Sequence, residues 1–405
     1  MHTFILNDGQ NLFYRQIRMT NPAYGIDSMI GMALHMILNS MKKEYNTWQG
    51  THCVFFLEGR SWRKDVYPAY KANRKVAYAA LTEKEQEEQQ LLQEAFDDLV
   101  NYLDQKTNIT VLRNPKAEAD DMITMFIEAH PDDRHVLISS DSDFFQLLRF
   151  PNVIIYDPVK DIRIQRDGIY NDDGKKLAFT LTSGAKIKVG DVDPNFTPAE
   201  DWYEYALFLK CIRGDDTDNI FSAYPGVREK GTKKTVGIRE AYEDRNGKGY
   251  SWNNFMLQKW VDHNKVEQKV KECYDMNRKL IDLSQIPDEV KAQCLTIIAE
   301  ETQRKNVPAV EIGMGFMKFC GKWALKKIGD NNANFMPMLK ANTRNNMKYF
   351  IAGVLVFLVF VGILLYFSAE RYTFNREKCE QAGGILLQLK HEFVCLKRDA
   401  VIEVK

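Results

Sequence analysis

Nine carboxylates in five clusters are the residues of this chain whose types and spacing most plainly allow chemistry. They are Asp8 in "ILNDGQN", Glu58 in "VFFLEGR", Glu118, Asp120 and Asp121 in "AEADDM", Asp141 and Asp143 in "SSDSDF", and Asp215 and Asp218 in "GDDTDN". Several directly follow short apolar runs that read as β-strands. In an open α/β sheet, ligands bind at the carboxyl ends of the strands. So many acids brought together there would repel strongly unless hard cations neutralise them. The chemistry implied is magnesium-assisted work on phosphates, with two ions about 3.5–4 Å apart and manganese as a substitute. A single Asp-x-Asp in a turn, or an acid pair opening a helix, is usually a cap or solvated surface. Five clusters in this order, four of them at strand ends, are not explained that way.

The elements that must position these acids follow from the apolar pattern. Runs at 3–6, 53–57, 109–112, 135–139 and 153–156 are expected strands, separated by helical periodicity, which predicts a mainly parallel sheet flanked by helices. One helix is expected from Thr82, with Glu85 completing a capping box and Leu92, Phe96, Leu99 and Leu103 as its apolar stripe. Another is expected to start at Thr197, with Pro198 in its first turn and Glu200 after it, and to run into Gly214 and the last acidic pair. Asp215 and Asp218, three apart, share a face if their turn is helical. Beyond about residue 221 the pattern is helical and polar, a smaller region to about 340.

The chain has 405 residues, room for two or three domains, and ordinary globular composition. Fifty-five basic and 55 acidic residues cancel, which would argue against a nucleic-acid partner if the sum mattered more than its distribution. Arg60, Arg63, Lys64, Lys71, Arg74 and Lys75 form a basic stretch interleaved with Trp62, Tyr67, Tyr70 and Tyr78. Cations there would pair with phosphates and aromatic faces would stack bases, with Tyr70 the favoured stacking residue. Pro68 interrupts any continuous helix through it. Five of the seven cysteines, Cys53, Cys211, Cys273, Cys294 and Cys320, sit in apolar contexts and are expected as reduced thiols of a cytoplasmic body. No zinc spacing, Ser/His/Asp arrangement or glycine-rich phosphate loop is present, and no N-terminal signal peptide is visible.

The far C-terminus differs. Residues 349–369 carry no charge over 21 positions, long enough to cross a bilayer core of about 30 Å. A single-pass membrane helix is expected there, after a linker at 341–348 and before a tail at 370–405. With the body on the cytoplasmic side, Cys379 and Cys395 of the tail could pair as a disulfide. The segment from Met347 also looks like a small membrane or exported polypeptide joined to a soluble enzyme, by natural fusion or through the gene model.

The strings "NDGQNLFYR", "SWRKDVYPAYKANRK", "EADD", "ISSDSDFFQL" and "RGDDTDNI" together resemble the phage 5′-nuclease family that includes flap endonucleases. The later "CYDMNRKLIDLSQIPDEV" is similar to the helical part of the T-even-type phage ribonuclease H branch, so the resemblance covers about residues 1–340. It implies an α/β catalytic domain at 1–220, a basic arch at about 60–105 and a helical duplex-binding region at 221–340. The implied activity is a magnesium-dependent 5′→3′ exonuclease and flap endonuclease, acting on branched or nicked DNA and RNA primers in phage DNA replication. Asp8, Glu118, Asp120 and Asp141 match the family's first metal cluster. Asp143, Asp215 and Asp218 match its second, and Asp121 matches an acid that either bridges the ions or supports their ligands from behind. Lys71 and Arg74 match the pair that approaches the scissile phosphate. A sliding clamp and a single-strand DNA-binding protein are partners that only the resemblance implies.

There are two departures. Glu58 stands where many relatives carry Asp, one methylene shorter, with Asp65 as a competing surface acid. The glycine-rich duplex-binding motif is replaced by "SAYPGVREKGTKKTVGIRE", whose Lys230, Lys233, Lys234 and Arg239 are the expected phosphate contacts. Two other readings therefore stand beside the nuclease. One is a branched-DNA-binding factor with weak catalysis. The other is a membrane-tethered protein whose nuclease part is a passenger.

Overall fold

The computed structural model describes residues 1–182, 184–190, 201–304, 306–342, 377–389 and 392–397. Residues 1–342 form one compact unit and the C-terminal residues from 343 a second.

The first unit is built on a sheet of order β3-β2-β1-β4-β5-β6-β7-β8. Its parallel part comprises β1 (Thr3–Asp8), β2 (His52–Leu57), β3 (Thr110–Arg113), β4 (Arg134–Ile138) and β5 (Val153–Asp157). Each lies within a residue or two of an expected strand. Almost every residue of β1 and β2 is buried, because helices cover both faces of a parallel sheet. On one face pack α1 (Gly9–Met19), α2 (Ile26–Thr47) and the second half of α5 (Glu83–Lys106). On the other lies α6 (Ala119–Ala129), whose Phe126 meets Phe4 edge to face at 5.0 Å.

Between β2 and α5 the basic stretch forms two short helices, α3 (Arg63–Val66) and α4 (Ala72–Ala79), broken around Pro68 as its fixed φ requires. The capping box at Thr82 is present: Glu85 Oε2 accepts from Thr82 N at 2.8 Å, and Thr82 Oγ1 from Glu85 N at 3.3 Å. Leu92, Phe96, Leu99 and Leu103 are buried on this helix. The C-terminal half of the expected arch is thus a core helix.

After β5 the sheet turns antiparallel through β6 (Ile162–Gln165), β7 (Gly168–Asn171) and β8 (Lys176–Leu177). A separate hairpin follows, β9 (Phe179–Leu181) with β10 (Ile187–Val189). These five short strands were not anticipated. Thr197, Pro198 and Glu200 lie outside the described residues; the described helix, α7 (Trp202–Arg213), ends at Gly214. Gly214 has φ +76, and a Cβ there would sit 2.3 Å from Ile220 O, so only glycine lets the chain turn back.

Residues 221–342 are mainly helical: α8 (Ile238–Glu243), α9 (Tyr250–Met256), then a small hairpin of β11 (Lys259–Val261) and β12 (Glu267–Lys269). Next come α10 (Val270–Ile281), α11 (Asp288–Arg304), α12 (Ala309–Lys322), α13 (Lys326–Gly329) and α14 (Met336–Lys340). They do not stand apart. Val290, Cys294 and Ile298 of α11 share one core with α6, while Ile312 and Phe316 of α12 share the other with α2 and α5.

The second unit contains an antiparallel hairpin, β13 (Gly384–Leu389) and β14 (Glu392–Lys397), and a disulfide between Cys379 and Cys395. Among the described residues no helix is long and apolar enough to cross a membrane. The expected span 349–369 lies outside them.

Candidate metal centre and nucleic-acid cleft

Eight of the nine predicted acids line a single cleft of about 1160 Å³ at the carboxyl ends of the parallel strands. Asp8 ends β1 and caps α1, accepting from Asn11 N at 3.2 Å. Glu58 follows β2 and accepts from Ala119 N at 3.2 Å. That approach depends on Gly59, where a Cβ would fall 1.9 Å from Asn114 O. Glu118 and Asp120 open α6, and Asp141 follows β4, accepting from Asp143 N at 3.0 Å. Asp215 caps a single 3₁₀ turn, Asp216–Asp218, accepting from Thr217 N at 2.8 Å.

Electrostatics divide the acids into two kinds. Burial, reinforced by neighbouring acids, raises Asp8 to about 6 and Glu58 to about 7. It raises Asp141 too, and lifts Asp120 well above its ordinary value. Burial also pushes Glu118 and Asp215 upward, but there Lys71 with Arg63, and Lys210 with Thr217, outweigh it and hold both below. Lys71 Nζ pairs with Glu118 and lies 3.7 Å from Asp218; Lys210 Nζ pairs with Asp143 and lies 2.9 Å from Asp215. Two ammonium groups thus sit among the carboxylates. Among the described residues, no three acidic, histidine or cysteine side chains form a ready ligand set for one ion. The donor set itself is all carboxylate oxygen, and burial disfavours the charged form of four members, Asp8, Glu58, Asp120 and Asp141. Oxygen donors are what a hard divalent cation requires.

Asp121 is the ninth acid and does not face the cleft. It is fully buried and receives both terminal nitrogens of Arg63, at 2.9 and 2.8 Å, together with Trp62 Nε1 at 3.1 Å. Of the two places expected for it, bridging or behind the cleft acids, it takes the second: its oxygens are engaged by Arg63, Trp62 and the Glu118 backbone N–H.

The basic stretch divides in the same way. Arg63, expected on nucleic acid, is buried against Glu118, Asp121 and the Leu280 carbonyl. Tyr70, expected to stack on bases, is 4 % exposed, and its hydroxyl lies 2.9 Å from a carboxylate oxygen of both Glu118 and Asp218, with one proton to donate to either. Both side chains organise acids in or beneath the cleft. Arg60 is exposed and paired with Asp65 at 2.5 Å. Lys64 and Lys75 do line the cleft. Arg74 reaches Asp218 at 2.9 Å while remaining 61 % exposed. Lys71 has φ +55, an uncommon conformation for a residue with a Cβ, held by its N–H donating to Asp218 O at 2.9 Å. Farther off, Lys230, Lys233 and Lys234 are exposed around the loop before α8. Arg239 instead pairs with Glu229 at 2.8 Å. Lys210 was missed because it lies within the apolar run of α7, where only its spacing of five from Asp215 marked it.

Parts of the chain are similar to known proteins. Residues 3–174 match the family model of the 5′-3′ exonuclease N-terminal, resolvase-like domain. Over 198 residues the chain is 28% identical to the flap endonuclease Xni of Psychromonas ingrahamii, spanning 46% of this chain and 71% of that protein. Over 201 residues it is 31% identical to the ribonuclease H of Enterobacteria phage T4, spanning 48% of this chain and 54% of that protein. A solved structure of the T5 D15 protein with metal ions, 19% identical, covers 74% of this chain and 98% of its own, with a TM-score of 0.49. Residues 3–174 thus resemble the 5′-3′ exonuclease N-terminal domain, with a flap endonuclease and a phage ribonuclease H among the proteins the chain is similar to.

Proposed function

We propose that the first unit is a structure-selective 5′-nuclease, a hydrolase acting as 5′→3′ exonuclease and flap endonuclease on branched or nicked DNA. RNA primers paired to DNA are included, supported by the similarity to a phage ribonuclease H, which also supports a role in phage DNA replication. The observation that carries the reading is the convergence of eight carboxylates on one cation-flanked cleft at the carboxyl ends of the parallel strands.

Two magnesium ions, or manganese in their place, are the cofactors this reading needs. Asp8, Glu58, Glu118, Asp120 and Asp141 would hold one, and Asp143, Asp215 and Asp218 the other. Such ions, when bound, supply a hydroxide nucleophile at neutral pH and stabilise the leaving oxygen. The chain's own residues do the rest. Asp8 and Glu58, with raised proton affinity, give up their protons as cation charge replaces them. The Tyr70 hydroxyl and the Ala119 N–H keep Glu118, Asp218 and Glu58 aimed at the cleft. Lys71 and Arg74 are placed to meet the charge that develops on the scissile phosphate. A 5′-labelled flap duplex incubated with Mg²⁺ or EDTA tests this. Junction cuts or short 5′ products only with Mg²⁺ support it, and an intact substrate in both contradicts it.

We also propose that segment 349–369 anchors the nuclease to a membrane with the C-terminal hairpin on the far side. The support is the Cys379–Cys395 disulfide, a bond that persists in oxidising compartments, whereas Cys53, Cys211, Cys273, Cys294 and Cys320 are free.

A further inference from the structure

The cleft carries a second group of cations that the reading above does not use. Sheet order places them. The arch leaves the end of β2, whereas Asp157 and Lys160 follow β5, and β1 and β4, with Asp8 and Asp141, lie between. The two cation groups therefore flank the acids from opposite edges.

Two side chains make up this second wall, and a third backs it. Lys186, at the exposed tip of the β9–β10 hairpin, lines the cleft, and its charge reaches Asp141. Arg18, also exposed, lines the cleft from α1, three residues after Arg15 and so on the same face. Arg15 has both terminal nitrogens closed off from solvent, with no hydrogen-bond partner among the described residues. Asp157, Asp8 and Glu44 act on it through their charge alone. Its terminal nitrogens are out of a phosphate's reach, so Arg15 acts on the cleft through its positive charge rather than by direct contact.

The wall is also built to hold its position. Asp157 Oδ1 accepts from Val159 N at 2.9 Å and Lys160 N at 3.3 Å, closing the turn after β5. Lys160 Nζ then donates to Ile187 O at 3.0 Å, tying that turn to the hairpin that presents Lys186. Lys160 is therefore an anchor rather than a free cation.

Pairing separates the two edges. Lys71 and Arg74 already hold carboxylates, so meeting a phosphate means breaking ion pairs. Among the described residues Arg18 and Lys186 have no such pair to break, and a charge-assisted contact with phosphate is a net gain.

We propose that Arg18 and Lys186, backed by the charge of Arg15, form a phosphate-binding wall for the nucleic-acid strand on the side of the scissile phosphate away from the arch. The identity of the ligand as nucleic acid rests on the nuclease reading; the wall itself rests on the unpaired cations. Its contacts are to backbone, so they add affinity without sequence preference.

The test uses the full-length protein in detergent, with fluorescence anisotropy of a labelled flap duplex in Ca²⁺ across a KCl series. Arg18→Gln and Lys186→Gln are surface changes that leave the fold intact. Each should flatten the slope of log affinity against log salt by roughly 0.9, and the double variant by about twice that. In Mg²⁺, KM should rise several-fold with kcat little changed. Arg15→Gln should act in the same direction, with Arg15→Lys restoring part of the loss. Unchanged salt slopes and KM in the double variant overturn the wall. So does a fall in kcat alone, which would place these cations on the acidic floor instead. If wild type binds in Ca²⁺ and never cuts in Mg²⁺, the nuclease reading fails while the salt slopes still decide the wall. If it binds no DNA, both fail.

Discussion

Arg63 and Asp121 form a buried bidentate ion pair, Nη1 to Oδ2 at 2.9 Å and Nη2 to Oδ1 at 2.8 Å, beneath the acidic cleft. The pair joins the base of the arch to the first turn of α6. Because Arg63 also donates to Glu118, the same guanidinium holds a structural acid and a cleft acid.

Removing one partner of such a pair leaves an uncompensated buried charge, worth roughly 3–5 kcal/mol. Arg63→Ala should lower unfolding stability by that amount in a urea titration. Were Arg63 an exposed phosphate contact, the variant would unfold like wild type and lose only salt-dependent DNA binding.

Stability without metal should fall as pH rises from 5 to 7.5. Asp8, Glu58, Asp120 and Asp141 all have folded-state values above their ordinary ones. Their stabilising contribution is complete below the unfolded-state values and is lost as pH rises through the folded ones, about 6 for Asp8 and about 7 for Glu58. For Asp8 alone, the rise from 3.8 corresponds to roughly 3 kcal/mol. Glu118 and Asp215 are shifted downward, so their opposing effect falls at more acid pH, outside this window. Thermal melts in EDTA should show a lower Tm at pH 7.5 than at pH 5, and Mg²⁺ should abolish the difference. A Tm that rises with pH in EDTA would contradict the charge assignment.

Lys71 sits at the arch base with its ammonium on Glu118 and near Asp218. If it acts on the transition state, Lys71→Ala should reduce kcat by roughly 10²-fold. Flap binding in Ca²⁺ should stay within a few-fold of wild type. Equal losses of binding and turnover would reduce it to a phosphate anchor.

The C-terminal disulfide gives a count. Denatured, unreduced protein should take five maleimide labels, and seven after reduction. Membrane fractionation should find the full chain in the pellet and a chain ending at 342 in the supernatant. Seven labels before reduction would remove the support for an oxidised hairpin.

Much of this site was legible in the sequence because strand-end acids announce themselves: an apolar run stops and a carboxylate follows, as at Asp8 and Asp141. Thr82 with Glu85, and Pro68 within the basic stretch, acted locally as their chemistry dictates. What was not legible depended on tertiary contact. Arg63 and Tyr70 look like surface cation and surface ring until α6 and the 215–219 turn supply buried acids for them to meet. Lys210 looked like one more position in an apolar helix. The strands from β6 to β10, mostly two to four residues each, are too short to show alternation.

The central claim is that the carboxylate cleft cuts nucleic acid through bound metal. The most direct measurement compares wild type and Asp141→Asn on a 5′-labelled flap duplex, with cleavage followed in Mg²⁺ and binding in Ca²⁺. Wild-type cleavage only with Mg²⁺, lost by at least roughly 10²-fold in Asp141→Asn while binding persists, is the predicted result. Equal turnover by Asp141→Asn, or wild-type cleavage that survives EDTA, would contradict it.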